Sequence, residues 1–138
     1  MKCLVFLAAL LLAAVVPSAP ARADGEAPAL DGTSWKIDVQ PDAAAQDKVK
    51  PYQEILIFSD GYASFKEAEK SGFAAAAYTT SVEEKGRGRL FRTEQSSATE
   101  GTEVWTGAVH GKNIEGKMIF TRQDGSVLTY SFKGRKLD

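Results

Sequence analysis

WTGAVHGKNIEGKMIFTRQDGSVLTYSFKG, Trp105–Gly134, is the stretch on which the fold turns. Apolar and polar residues alternate through it, the period of a strand with one buried face. Ile114, Met118 and Phe120 share a face with Gly116, and Leu128, Tyr130 and Phe132 share another. His110-Gly111-Lys112 and Asp124-Gly125 interrupt the alternation where tight turns need glycine. The stretch therefore predicts consecutive antiparallel hairpins.

The same rhythm extends upstream. In TSWKIDVQ, Trp35, Ile37 and Val39 fall on one face and Lys36, Asp38 and Gln40 on the other. YQEILIFS and YASFKE are joined by Asp60-Gly61, a hairpin signal. KEAEKSG predicts a single helical turn stopped by Gly72, and the alanine-rich run after Phe73 becomes a strand from about Ala76. GRLFRTEQ and EVWTGAVH complete the set. PDAAAQDKVKP, bounded by Pro41 and Pro51, predicts a loop or a helix of one to two turns over a barrel end, with Asp42 as its cap. Eight strands with short connections make an antiparallel meander, and closure removes its exposed edges. The expected fold is all-β, an eight-stranded antiparallel meander barrel with short helical turns in loops; a two-sheet β-sandwich is the alternative.

The first residues read as a signal rather than as fold. Lys2 precedes the apolar run Leu4–Val16, and Ala21-Arg22-Ala23 forms an A-x-A cleavage site. The run falls short of the roughly 20 residues that span a bilayer. Residues 1–23 are expected to be a cleaved signal peptide, 24–30 a flexible tether and 31–138 a single domain, with a periplasmic or secreted destination and no stable membrane insertion after cleavage. Cys3, the only cysteine, leaves with the signal, so no disulfide or thiol chemistry follows. Without Lys2 and Arg22 the chain keeps 15 basic residues against 18 acidic ones, a net charge of −3 with the signs interspersed. That distribution provides no basic face for nucleic acid.

LDGTSW, Leu30–Trp35, opens the first strand. It resembles the openings of lipocalins and avidins, where a glycine is followed shortly by a tryptophan that plugs one barrel end. Here Gly32 and Trp35 are three apart, where the lipocalin pattern has two. Small secreted META-type domains are similar at Leu30, Gly32, Thr33 and Trp35. With Asp60-Gly61, Gly72-Phe73, Tyr78-Thr79, Trp105, Gly107 and Gly116, the chain looks like the small exported bacterial β-barrel proteins of the calycin group. The resemblance implies a calycin-like barrel, with no ligand residue carried over.

Specific chemistries leave little trace. His110 is the only histidine, set at a turn; pairing it with Asp124 and Ser126 would echo a hydrolase triad, but no strained nucleophile elbow accompanies them. Neither a cysteine–histidine metal set nor a calcium loop is present, and the acids Glu67, Glu69, Glu83 and Glu84 interleave with lysines. No catalytic residue, metal or cofactor is expected. The aromatic residues suggest binding: Trp35, Tyr78, Trp105, Phe120, Tyr130 and Phe132 could line a cup, or simply fill the core. Phe73 on its alanine loop, with Arg87 and Arg89, could instead meet a partner, though Phe73 as a lid over the barrel end is the plainer reading. The expected function is non-enzymatic binding of a small apolar or amphipathic ligand, by a monomer or weak dimer. The alternative is an interaction module or inhibitor of an exported enzyme, acting through loops 71–78 and 86–89.

Overall fold

The structure, a computed structural model, describes residues 29–46, 48–83 and 88–138. The expected signal peptide, nearly all of the tether, and Arg87 lie outside the described residues.

Eight strands run in meander order and close on themselves: β1 (Thr33–Pro41), β2 (Tyr52–Ser59), β3 (Tyr62–Phe65), β4 (Ala76–Val82), β5 (Arg89–Ser97), β6 (Gly101–His110), β7 (Asn113–Arg122) and β8 (Val127–Leu137). Every neighbouring pair is antiparallel, and β1 pairs with β8 from Ser34↔Leu137 to Pro41↔Tyr130, which shuts the barrel. The closed barrel excludes the two-sheet sandwich. One short helix, α1 (Lys66–Lys70), leaves β3 and ends at Gly72, whose φ of 88° only glycine adopts freely. The β2–β3 hairpin turns on Asp60 and Gly61, both at positive φ, as the Asp-Gly pair predicts.

Two local expectations need refinement. The Pro41–Pro51 segment takes the looser of its two readings, a string of turns carried by Ala45 N–H to Asp42 O (2.8 Å) and Lys48 N–H to Ala45 O (2.9 Å), with no α-helix among its described residues. Its Ala45 side chain is nonetheless buried in the core, so the loop does cover an end. Strand β3 stops at Phe65, and Lys66 already belongs to α1.

The β3–β4 seam is the weakest of the barrel, with only Tyr62↔Ala77 and Ala63↔Ala76 in register. Side chains mend it. Gln95 Nε2 donates to Ala63 O (2.9 Å) and Thr93 Oγ1 to Ala77 O (3.1 Å).

The inward faces meet as a packed aromatic midsection. Trp105 stacks on Phe65 with ring centroids 4.1 Å apart and meets Phe132 at 5.4 Å, while Phe58 meets Phe91 edge-on at 5.3 Å. Such pairs add roughly 0.5–1.5 kcal/mol each beyond the burial of their area. The hairpin turns His110–Asn113 and Ser59–Tyr62 close one end. The other end carries the Pro41–Pro51 loop, α1 and Phe73, and it is the covered end.

Candidate functional site

The covered end collects the polar groups of the interior. On β2, Glu54 follows the inward phase of Leu56 and Phe58; on β6, Glu103 follows that of Trp105 and Val109. Both carboxyls are therefore buried, Glu54 at 1% and Glu103 at 6% exposure.

Glu54 has a structural occupation. Its Oε1 accepts the Ile55 N–H (2.9 Å) and the Glu67 N–H (2.7 Å), and its Oε2 accepts the Ala68 N–H (3.1 Å). The residue preceding α1, Phe65, supplies no side-chain cap, so a carboxylate from the neighbouring strand caps the helix instead. Burial pushes the Glu54 carboxyl above its ordinary value, against the pull of those three N–H groups.

Glu103 is less satisfied. Its Oε2 accepts the Trp105 indole N–H at 3.0 Å, the only hydrogen bond its side chain makes among the described residues. Burial raises its pKa to about 7; the indole bond opposes that shift and the nearby Glu54 charge adds to it. Beside it on β5, in register, stands Gln95, 1% exposed, whose Oε1 has no partner. Tyr52 and Tyr130 meet edge-on at 6.3 Å, and burial raises both hydroxyls above the ordinary phenol value, Tyr52 strongly. Between Glu103, Tyr52 and α1 opens a cavity of about 310 Å³, reached also by Phe73, Ala68, Ser71 and Glu67; Gln95 and Tyr130 do not line it.

The residues singled out by sequence divide among several places. Tyr130 and Phe120 stand at the covered end, with Phe120 meeting Phe73 edge-on at 6.0 Å. Trp105 and Phe132 belong to the packed midsection. Tyr78 donates its hydroxyl to Asp31 Oδ1 (2.7 Å), which also accepts the Gly61 N–H (3.0 Å), so it ties the chain entry to the β2–β3 turn. Trp35 is buried at the opposite end, its indole N–H on Thr33 Oγ1 (2.9 Å). Arg89 lies in a shallow hollow there with Leu30 and Lys136. Phe73 is not an exposed tip: it is 3% exposed and turned inward, because the Gly72 turn carries the chain back over the barrel end.

The triad echo does not assemble. Asp124 holds Ser126 through its N–H and Oγ (2.8 and 2.6 Å), bonds that keep its carboxyl below the ordinary value. His110 sits at the other end of the ten-residue β7, roughly 30 Å away at strand rise, where its Nε2 meets Glu83 Oε2 at 2.9 Å. No cluster of three metal-ligating side chains occurs among the described residues.

A larger groove of about 1130 Å³ runs over the outer wall, where Gly107 and Gly116 face each other and uncover the edges of Phe91 and Phe132. Its charged rim mixes Asp38 and Glu115 with Lys117 and Lys133, and it offers no buried polar group to fix a ligand. The covered end does, and we take it as the candidate site.

Sequence reasoning missed Glu54, Glu103, Tyr52 and Gln95. The signal was present: each sits in the apolar phase of its strand. Comparison with protein families, curated proteins and solved structures finds no match to this chain.

Proposed function

We propose that the protein is a non-enzymatic, exported binding protein of calycin-like build that holds a small amphipathic molecule at the covered end of its barrel. The observation that carries this reading is the 310 Å³ cavity ending on a buried carboxyl with one unbonded oxygen. Two aromatic rings, Tyr52 and Phe73, stand in the cavity wall beside polar side chains, and the volume lies at the lower bound of about 300 Å³ for small-molecule sites. The rings of the midsection contact one another, so the ligand is assigned to the mouth rather than to the barrel axis. Export rests on the signal-like start, and a calycin-type origin on the Gly32-to-Trp35 opening. The alternative, loop-borne inhibition of an exported enzyme, draws no support from Phe73, which is buried.

The indole groups supply the test. Trp105 Nε1 bonds Glu103 and Trp35 Nε1 bonds Thr33, so the two indole resonances in a ¹⁵N–¹H spectrum report on opposite ends. Titration with three phenyl probes, 2-phenylethanol, phenylacetate and 2-phenylethylamine, should move the Trp105 resonance with at least one of them and leave Trp35 in place. Failure of all three at millimolar concentration would contradict a ligand site here.

A further inference from the structure

We infer that the cavity at the covered end selects an organic ammonium ion, its cationic head on Glu103 and its apolar part between Tyr52 and Phe73. This rests on the binding reading above and adds the ligand's charge.

The polar group that the cavity itself leaves unfilled is an acceptor. Glu103, which lines the cavity, has one carboxyl oxygen without a hydrogen bond among the described residues. A protonated amine brings three donors and no acceptor, the complement of an unfilled carboxylate oxygen.

The charge of the wall agrees. The ionisable carboxyls reaching the cavity are Glu103 and Glu67, and no lysine or arginine lines it. Glu54 adds a further carboxyl behind Glu103. A carboxylate bringing a negative charge into a site of about 310 Å³ would be isolated there without a cation, and the Tyr52 and Phe73 rings offer the π-faces that favour one. Of the positive groups nearby, Lys70 is held on the exposed side of Glu67 at 3.0 Å, and Arg122, on β7, sets its charge beside Tyr130 with its buried Nε unpartnered among the described residues, but neither lines the cavity.

Proton and ammonium then compete for the same carboxyl. Tyr52 and Tyr130 stay neutral across the working range, and Gln95 on β5 and the Trp105 indole do not titrate; the Glu54 carboxyl, which burial also raises, acts on Glu103, so the comparison with Glu103→Gln isolates the part of the pH response that Glu103 carries. Its ionised fraction rises about tenfold between pH 6 and pH 8 when its pKa is about 7. An alkylamine remains protonated throughout that interval, given a pKa near 10.

Affinities of the same three probes are to be read by calorimetry at pH 6 and pH 8. The expected result is that 2-phenylethylamine binds at least tenfold tighter than 2-phenylethanol at pH 8. That advantage should shrink about tenfold at pH 6, and phenylacetate should bind weakest. Glu103→Gln should abolish the preference and its pH dependence while the alcohol still binds; the Trp35 indole resonance shows whether the variant is folded, and the wild-type pH series stands without it. If the alcohol or phenylacetate binds as well as the amine, the ammonium inference is overturned and the binding reading survives. If no probe binds, both fall.

Discussion

Replacing Gly116 by alanine is expected to remove about 3 kcal/mol or more of folding stability, read as a lower urea midpoint at unchanged slope. Gly116 faces Gly107 across β6 and β7 at an inward position of both strands. A Cβ at Gly116 would collide with the Thr106 carbonyl oxygen, lie 2.5 Å from Gly107 Cα and 2.7 Å from Phe132 Cζ. Two of those three atoms are backbone, so relief requires the strand pair to separate and not merely a rotamer change. Phe132 is wedged in turn against Phe91 and Trp105, so its ring has nowhere to retreat. Overpacking of this kind typically costs about 1–3 kcal/mol, and the backbone contacts place this site at or above the upper end. Ala108→Gly, at the next register pair of the same two strands and on the outer face, should cost less than half as much; since Gly116→Ala lowers the backbone entropy cost, a larger loss there reports the collision.

The second large effect concerns pH. The folded chain holds the Glu103 carboxyl at about 7, against 4.5 in an unfolded chain. The folded state therefore binds the proton more tightly, and Glu103 contributes full stability only below about pH 4.5. That contribution is lost as pH rises from 4.5 to 7 and stays lost above 7. At about 1.36 kcal/mol per pKa unit the loss is on the order of 3 kcal/mol. Glutamine keeps an oxygen for the Trp105 indole and does not titrate. In Glu103→Gln the change in unfolding free energy between pH 4 and pH 8 should accordingly be shifted by about 3 kcal/mol in favour of pH 8, relative to wild type. Identical pH profiles for the two proteins would refute the burial of an ionising Glu103. A carboxyl that weakens the fold near neutral pH fits a residue held for binding, since perturbed acids gather at functional sites.

Much of the barrel is legible in the chain because its strands follow a period of two with few exceptions. Trp35-Ile37-Val39 and Leu128-Tyr130-Phe132 each declare an inward face, and both are buried. Asp60-Gly61 and Gly72 declare their turns through the positive φ values they adopt. The site is harder to read because it breaks the same rule. Glu54 and Glu103 occupy inward positions, but an acid beside a turn or a strand start is ordinarily assigned to solvent, where acids are usually found. What holds Glu54 inside is the N-terminus of a five-residue helix that arrives from another strand, and what surrounds Glu103 is set by the neighbours on β2, β5 and β8. Those contacts depend on barrel closure, which no local window contains. Phe73 admits both an exposed tip and a lid in the sequence, with the lid the plainer reading, and the path after Gly72 turns it inward.

The covered end is tested most directly by the Glu103 carboxyl itself, followed through its ¹³C resonance from pH 4 to pH 9, alone and saturated with 2-phenylethylamine. A site built as described titrates near pH 7 when empty, and its midpoint falls when the amine is bound, because the cation favours the carboxylate. A midpoint near the ordinary value of 4.5 that the amine does not move would contradict both the buried acid and the binding site assigned to it.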